Sequence, residues 1–213
     1  MANKKYDYIL FDFDGTIADT SEGIFDSFDY VRKTLGGRDI PRSEYNKMIG
    51  PPLAFSFRKF FGFGEDEIER AIRTYRVEYE RAGLFKCKMY DGMKDVFSSL
   101  RQAGKSLFVA TSKPEVYARK LMAHFGVSEF FSYIGEKRAK KSEVIEYVLS
   151  ASNVKDKSRA VIVGDRLHDA QGAKEAGIDC IGVLFGFGSE AELKNAGVEK
   201  IAQTPADILK ILL

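Results

Sequence analysis

The sequence predicts an α/β fold in which a parallel sheet carries helices on both faces, together with an inserted all-helical domain. Two observations lead to this prediction. From residue 88 onwards, short apolar runs alternate with segments of helical spacing, which is typical of a parallel sheet with crossover helices. Between Thr20 and Gly83 the spacing is helical and no convincing strand is found. A chain of 213 residues is long enough for one ordinary domain and a sizeable insert.

The composition is that of a soluble globular protein. Apolar residues make up 45% of the chain and charged residues 30%, and the net charge of +2 gives no electrostatic argument for nucleic acid or an acidic membrane surface. We therefore expect neither as a partner. Cys87 and Cys180 form no CxxC pair, which fits a reducing compartment. The sequence shows no signal-peptide pattern and no apolar run of about 20 residues, so we expect a cytoplasmic protein.

The first predicted strand ends in two aspartates. Tyr6–Phe11 is an aromatic and branched run typical of a buried strand, and Asp12 and Asp14 follow it before the chain turns at Gly15. Residues spaced by two on a strand point to the same side, so both carboxylates leave the strand end together. Two like charges this close are unfavourable unless a cation, a proton or hydrogen bonds compensate them. The pair therefore indicates a working site.

The predicted insert contains three helical segments and an aromatic stretch. Thr20–Leu35 ends at a pair of glycines, and Pro41–Ile49 and Glu65–Arg81 are the other two segments. Five phenylalanines lie between them. We expect most of these rings in the core of the insert and a minority at a substrate pocket, where a ring could stack on a base. The five are Phe55, Phe57, Phe60, Phe61 and Phe63.

The remaining chain alternates between helices and strands. The predicted strands are Lys105–Ala110, Phe130–Ile134, Arg159–Val163 and Ile178–Leu184. The predicted helices are Gly92–Gln102, Pro114–His124, Ser142–Leu149, Ala170–Ala176, Glu190–Ala196 and a last one that begins at Thr204 and Pro205. Ligands of such sheets bind beyond the carboxyl ends of the strands. The polar residues that directly follow the strands are therefore the candidates for function.

Several carboxylates follow predicted strands. If the strand ends converge, up to four carboxylates share one crevice, and a hard divalent cation with oxygen ligands, usually magnesium, relieves their repulsion. The histidines and cysteines lack zinc spacing. Magnesium held by carboxylates readily takes a phosphate oxygen, so we expect a phosphate ester as substrate. The four candidates are Asp12, Asp14, Asp165 and Asp169.

Two further segments could bind the phosphate. Thr111 and Ser112 follow a predicted strand and precede a helix, where a hydroxyl and backbone N–H groups form a natural seat for an anion. A lysine would complete the neutralisation of a phosphoryl group, and the basic run Lys137–Lys141 supplies candidates. Lys141 is preferred because it lies just before the predicted helix, and Lys140 remains an alternative.

The motifs resemble those of the haloacid dehalogenase superfamily phosphatases. The segment DFDGTIADT, residues 12–20, is similar to the DxDGTxxDT signature of that family. Thr111 after the strand SLFVA, Lys141 before a helix, and the GDxxxD segment from Gly164 to Asp169 resemble the second, third and fourth motifs in the right order. The resemblance covers essentially the whole chain. It implies a Rossmann-like core with a type-1 helical cap, as in phosphoglycolate phosphatase-like members.

The resemblance also implies a role for each motif residue. Asp12 would be the nucleophile that forms an aspartyl-phosphate, and Asp14 would protonate the leaving oxygen and later activate water. Asp12, Asp14 through its backbone carbonyl, and Asp165 would hold Mg²⁺, with Asp169 supporting the metal site. The phosphoryl oxygens would be bound by Thr111, Ser112 and Lys141.

The implied organisation is a catalytic core of residues 1–18 and 88–213 and a cap of residues 19–87 that closes over it and sets specificity. The substrate would be a small phosphorylated metabolite such as phosphoglycolate, a sugar phosphate or a nucleoside monophosphate. A β-phosphoglucomutase-like phosphomutase is the first alternative, and a non-catalytic binding protein of the same fold is the second. The sequence leaves open whether the protein is a monomer or a homodimer.

Overall fold

The computed structural model describes residues 6–135 and 140–213. Residues 137–139 of the predicted basic run therefore lie outside the described residues. The chain divides into two compact units. The core unit comprises Met1–Ala18 and Met89–Leu213, and the helical unit comprises Asp19–Lys88. The boundaries fall inside two paired two-residue strands, β2 (Ala18–Asp19) and β3 (Lys88–Met89), which the sequence did not predict. That the helical unit is a specificity cap stays a prediction.

The core unit is built on a six-stranded sheet of order β5-β4-β1-β6-β7-β8. All five pairs of neighbouring strands in this sheet are parallel. The strands are β1 (Tyr8–Phe11), β4 (Ser106–Val109), β5 (Phe131–Ile134), β6 (Ala160–Gly164), β7 (Asp179–Val183) and β8 (Lys200–Ala202). The first strand is central, because it pairs with β4 on one side and β6 on the other. Besides β1, the sequence predicted β4, β5, β6 and β7 from their apolar runs. The remaining strand, β8, was not predicted, because it is too short to give such a run.

Six helices of the core unit connect and cover these strands. They are α4 (Met93–Gln102), α5 (Glu115–His124), α6 (Lys141–Ala151), α7 (Leu167–Ala176), α8 (Glu190–Asn195) and α9 (Pro205–Leu212). On one face, Leu10 and Ile162 of the sheet pack with Val148 of α6 and Ala173 of α7. On the other face, the Phe11 ring meets the Phe97 ring of α4 edge-on at 5.2 Å. The predicted fold class is therefore confirmed.

Two predicted helix starts need correction. Lys141 does not precede α6 but is its first residue, with Lys140 at the N-cap position. Asp169 does not precede α7 either, since that helix begins at Leu167 and has Asp169 in its first turn. The apolar periodicity locates the buried face of a helix, whereas its first turn is polar and is fixed by capping contacts, which explains both errors.

The amino ends of the parallel strands form what we call the amino edge of the sheet. Lys105 is buried there, and its Nζ donates to the Tyr6 carbonyl at 2.6 Å and lies 3.7 Å from Asp7 Oδ1. The Tyr6 hydroxyl donates to Asp179 Oδ2 at 2.5 Å and accepts from Lys200 Nζ at 3.0 Å. Arg159 forms an ion pair with Asp7. Each carboxylate in this group thus has a direct partner.

The helical unit consists of α1 (Ser21–Leu35), a 3₁₀ segment (Arg42–Met48), α2 (Leu53–Ser56) and α3 (Glu65–Glu78). The last two helices continue as π-helical turns, over Phe57–Phe61 and Tyr79–Gly83. An aromatic core joins the elements through Phe28, Tyr45, Phe57, Phe61 and Tyr75.

The five phenylalanines of residues 55–63 differ in burial, and most of them are buried, as the sequence predicted. Phe57, Phe61 and Phe63 are buried, whereas Phe55 is 42% exposed and Phe60 is half-buried. A role for the two more exposed rings in substrate binding stays a prediction. Within residues 6–135 and 140–213, none of the helices combines the length and the apolar character needed to cross a bilayer.

Candidate active site

Asp12 and Asp14 of the first motif lie where β1 ends, at the carboxyl edge of the sheet. The Asp12 backbone N–H donates to the Val163 carbonyl at 2.9 Å, which fixes Asp12 beside the end of β6. Gly15 adopts a φ of +81°, and its N–H donates to the Ala18 carbonyl at 2.9 Å. A side chain is strained at this φ, so glycine lets the chain turn immediately after Asp14.

Asp165 follows β6 and is fully buried. Its Oδ2 accepts the Phe187 backbone N–H at 2.7 Å, and its Oδ1 receives a longer contact from the Thr16 hydroxyl at 3.4 Å. Asp169 is also buried, and its Oδ2 accepts the Arg166 backbone N–H at 3.1 Å. The carboxylates of the fourth motif are thus oriented largely by backbone donors.

The loop that holds Asp165 needs two glycines. A Cβ at Gly186 would clash with the Gly15 carbonyl oxygen, and a Cβ at Gly188 would clash with the Asp165 carbonyl oxygen. These close approaches bring the intervening Phe187 N–H onto the carboxylate. Sequence reasoning missed this donor, although the spacing of the glycines on either side of Phe187 was the available signal.

Three carboxylates converge at the carboxyl edge. Asp12, Asp165 and Asp169 each offer an oxygen within 4.8 Å of the others. Burial raises the pKa of Asp12 to about 6, a shift that the Lys141 ammonium reduces and the Asp169 and Asp14 carboxylates increase. Burial, followed by the charges of Asp169 and Asp12, raises the pKa of Asp165 well above its ordinary value. The cations near Asp12, Asp165 and Asp169 thus do not fully compensate the negative charge of the three carboxylates.

A hard cation fits this donor set. The three residues offer only carboxylate oxygens, which suit magnesium better than zinc or other soft metals. Among the described residues, the Asp14 carboxylate is not in the cluster. The set of metal ligands itself stays a prediction.

Lys141 joins the cluster from the start of α6. Its Nζ lies 2.8 Å from Asp12 Oδ1 and 2.7 Å from Asp169 Oδ1, and it donates to the Ala110 carbonyl at 3.0 Å. The contact with Asp169 Oδ1 is an ion pair that departs from hydrogen-bond geometry. Burial acts to lower the pKa of Lys141, but the two carboxylates outweigh it and the pKa is raised. The lysine is therefore a fixed cation.

The packing of two helices sets the position of Lys141. Helices α6 and α7 lie against each other, and a Cβ at Gly172 of α7 would come within 2.8 Å of Lys141 Cβ and Cγ. Glycine at this position lets the two helices approach closely. Lys140 is exposed, and its backbone N–H contacts Glu143 at 3.4 Å. Of the two lysines considered from the sequence, only Lys141 reaches the aspartates.

The segment after β4 has buried and exposed members. Thr111 and Lys113 are buried, whereas Ser112 between them is exposed. The Thr111 hydroxyl accepts the Lys113 N–H at 3.1 Å, and Lys113 Nζ lies 3.1 Å from Asp14 Oδ1. Phosphate binding by Thr111 and Ser112 stays a prediction. The contact between Lys113 and Asp14 was not predicted from the sequence.

The site combines crowded carboxylates with two buried ammonium groups at the carboxyl edge of a parallel sheet. Such an arrangement suits enzymes that bind a hard cation and a phosphate ester. Residues 9–183 match the family model described as haloacid dehalogenase-like hydrolase. The chain therefore belongs to that family, and the predicted superfamily, fold class and enzyme class, a phosphoric monoester hydrolase, are confirmed.

Several proteins are similar to this chain over most of its length. A 5'-nucleotidase from Pseudomonas aeruginosa is 36% identical over 195 residues, which are 89% of this chain and 88% of that protein. The tyrosine-protein kinase PtkA of Mycobacterium tuberculosis is 36% identical over 186 residues, which are 84% of this chain and 62% of that protein. A phosphoglycolate phosphatase from Agrobacterium fabrum is 27% identical, over 84% of this chain and 80% of that protein.

The fold also has a close match among solved structures. The crystal structure of a predicted phosphatase from Clostridium acetobutylicum superposes with a TM-score of 0.90 at 38% identity, and the match covers 97% of both chains. Core and insert are thus shared with a solved relative over nearly the full length.

Proposed function

We propose that the protein is a magnesium-dependent phosphatase that removes the phosphoryl group from a small phosphorylated metabolite through an aspartyl-phosphate on Asp12. The single observation that carries this proposal is the convergence of the Asp12, Asp165 and Asp169 carboxylates within 4.8 Å of one another. Asp12 and Asp169 both contact Lys141, the cation best placed to meet a phosphoryl oxygen, and Asp12 is the one of the two that follows the central strand β1.

The proposed reaction has two steps. In the first, an Asp12 oxygen bonds to phosphorus, the bond from phosphorus to the ester oxygen breaks, and the Asp14 carboxyl gives its proton to the departing oxygen. In the second, water attacks phosphorus, Asp14 takes the proton from the water, and the bond between Asp12 and phosphorus breaks to release phosphate. Asp12 and Asp14 both end as they began.

Bound magnesium would offset the carboxylate charge and polarise a phosphoryl oxygen. We expect Asp12, Asp165 and the Asp14 carbonyl to hold it, with Asp169 in support. Thr111, Ser112 and Lys141 would bind the phosphoryl oxygens. In support, Thr111 is buried just after β4, the neighbour of β1, and the buried Lys141 contacts Asp12. We also propose that the helical unit acts as the specificity cap and that the protein works in the cytoplasm.

Among the candidate substrates, nucleoside monophosphates come first. The relative named 5'-nucleotidase is 36% identical, whereas the relative named phosphoglycolate phosphatase is 27% identical. Phosphoglycolate and sugar phosphates follow as candidates. A screen of these phosphomonoesters, with release of inorganic phosphate as the readout, would rank them.

The first test is hydrolysis of p-nitrophenyl phosphate with and without Mg²⁺. We expect activity only with the metal, and its loss in Asp12→Asn, because an amide is not a nucleophile. Asp179→Asn at the amino edge of the sheet is the matched control and should keep its activity. Equal activity of wild type and Asp12→Asn would show that Asp12 is not the nucleophile.

The reaction products distinguish hydrolysis from transfer of the phosphoryl group to an acceptor other than water. A phosphomutase of the β-phosphoglucomutase type would isomerise a sugar phosphate in the presence of a bisphosphate and release little phosphate. Transfer to protein tyrosine, the activity in the name of the relative PtkA, would label a protein acceptor from ATP. Either product in large excess over free phosphate would replace the hydrolase proposal, and no turnover with any substrate would favour a binding protein.

A further inference from the structure

Lys113 is a buried cation at the carboxyl edge that has no role in the function proposed so far. Its side chain is only 5% exposed, and its Nζ lies 3.1 Å from Asp14 Oδ1, while the Asp14 side chain is 20% exposed. A buried ammonium is unfavourable without a partner of opposite charge. The pair therefore joins Asp14, which lies outside the carboxylate cluster, to a second lysine.

Local structure holds Lys113 in this position. Its backbone N–H donates to the Thr111 hydroxyl at 3.1 Å, and the next residue, Pro114, is the N-cap of α5. Its Nζ lies 5.8 Å from the centre of the Phe13 ring, a distance at which a cation and an aromatic ring attract each other. The ammonium is thus fixed from its own backbone and from the residue that precedes Asp14.

The two buried lysines contact different aspartates. Lys141 contacts Asp12 and Asp169, whereas Lys113 contacts Asp14. A cation that served only to neutralise the cluster of three carboxylates would be expected to contact Asp12, Asp165 or Asp169. The position of Lys113 instead points to the group that exchanges a proton with the substrate.

We propose, on the basis of the phosphatase function above, that Lys113 is a positioning residue for Asp14. It orients the Asp14 carboxyl toward the leaving oxygen and stabilises the negative charge that grows on Asp14 as the proton moves to that oxygen. A charge that develops in the transition state gains most from a cation already fixed in place, because no reorganisation is needed. The proton passes from Asp14 to the ester oxygen, and Lys113 keeps its own protons.

The proposal predicts a dependence on the leaving group. An alkoxide must be protonated as it departs, so an alkyl phosphate such as a nucleoside 5′-monophosphate needs Asp14. The p-nitrophenolate ion is stable and departs without a proton. Because kcat/KM reports only the steps up to departure of the leaving group, its ratio between the two substrates isolates this proton transfer.

The experiment measures kcat/KM of wild type, Lys113→Met and Lys113→Arg with p-nitrophenyl phosphate and with the alkyl phosphate that wild type hydrolyses fastest. We expect Lys113→Met to lose roughly 10- to 100-fold on the alkyl phosphate, the range of a hydrogen bond to a charged group, and little on p-nitrophenyl phosphate. Lys113→Arg keeps the charge and should recover most of the loss.

Two control variants calibrate the result. Asp14→Asn should show the same selective loss, and adding Lys113→Met to it should cost little more, because both act on one proton transfer. Lys141→Ala should lose activity equally on both substrates, since Lys141 is proposed to bind the phosphoryl group that they share. Thermal unfolding of each variant separates these effects from loss of folding, and Lys113→Gln replaces Lys113→Met if the latter does not fold.

The outcomes are distinct. An equal loss on both substrates, no loss on either, or an arginine variant no better than methionine would overturn the role of Lys113. Failure of the phosphatase proposal gives another result, in which wild type hydrolyses neither substrate or Asp12→Asn remains active.

Discussion

The two edges of the central sheet both bury a lysine among carboxylates, yet they differ in how the charges balance. At the amino edge, Lys105, Arg159 and Lys200 face Asp7 and Asp179, directly or through Tyr6. At the carboxyl edge, Lys113 and Lys141 face four aspartates. The same parallel sheet thus holds one compensated group of charges and one with an excess of negative charge.

The difference teaches how a buried charge can be interpreted. A compensated group is stable as it stands, and its members are expected to contribute to stability. An uncompensated one raises the pKa of its acids, as at Asp12 and Asp165, and requires a cation or a ligand. Four predictions test this distinction, and they follow in order of decreasing expected effect.

Removing a buried lysine from either edge should show that the carboxyl edge serves activity and the amino edge serves stability. We expect Lys141→Ala to lower kcat/KM by about 10²- to 10³-fold, the cost of removing a fixed group that stabilises the transferring phosphoryl. Lys105→Met should leave activity unchanged and lower the free energy of unfolding by about 2 kcal/mol, since it removes a buried charged hydrogen bond. Lys140→Ala should behave as wild type in both assays.

Enzyme kinetics and chemical denaturation of the three variants provide these measurements. A larger loss of activity in Lys140→Ala than in Lys141→Ala would move the phosphate-binding role to Lys140. A loss of activity in Lys105→Met would contradict the separation of the two edges.

Magnesium should stabilise the protein through one edge only. At 100 times its dissociation constant, a ligand that binds only the folded state adds about 2.7 kcal/mol, which a thermal shift detects without any assay of activity. We expect this gain in wild type and in Asp179→Asn, and its loss in Asp165→Asn. An unchanged magnesium response in Asp165→Asn would place the metal elsewhere.

Without metal, the Asp12 carboxylate should destabilise the folded protein. The pKa of Asp12 is raised from 3.8 to about 6, so the folded state binds this proton more tightly than the unfolded state does. Stability from this residue is therefore lost as the pH rises from about 4 to about 6. In a chelating buffer at pH 8, Asp12→Asn should be more stable than wild type by about 2 kcal/mol.

Denaturation of wild type and Asp12→Asn at pH 4 and pH 8 measures this gain. The gain should shrink at pH 4, where wild-type Asp12 is protonated in the folded protein. An Asn variant that is less stable than wild type at pH 8 would show that the Asp12 carboxylate is compensated after all.

The smallest effect is expected at the amino edge. Burial and the hydrogen bond to Asp179 raise the pKa of Tyr6 above its ordinary value of 10.0. The protonated phenol thus contributes stability that is fully present below pH 10 and is lost as the pH rises through the raised pKa. Tyr6→Phe should cost about 1 kcal/mol at pH 8, with activity unchanged.

The difference in unfolding free energy between wild type and Tyr6→Phe should narrow above pH 10, which urea titrations from pH 8 to pH 11 can follow. A difference that stays constant over this range would mean that the phenol proton is not what stabilises this edge.

The sequence predicted the aspartates of the site because their pattern is local. Each follows an apolar run, and parallel strands bring such positions to one edge, so Asp12 and Asp165 could be placed near each other although they lie far apart in the chain. Lys141 was located differently, as the last lysine of a basic run directly before a predicted helix. Chemistry carried by a strand end is therefore visible in the sequence.

Other contacts were not predictable because they depend on register and on backbone. Tyr6, Lys105 and Asp179 look like ordinary polar residues beside strands, and only the pairing of the strands shows that they meet. The donor to Asp165 is the backbone N–H of Phe187, which no side-chain pattern reveals. Lys113 directly follows Thr111 and Ser112 in the sequence, but its partner depends on where the turn at Gly15 directs Asp14.

The order of the strands has a consequence for synthesis of the protein on the ribosome. The central strand β1 is made first, and its neighbour β6, which brings Asp165, is made about 150 residues later. At roughly 5–20 residues per second, the nascent chain carries Asp12 for on the order of 10 to 30 seconds before its partners exist. The cluster of three carboxylates is therefore incomplete until the segment that carries Asp165 and Asp169 has emerged.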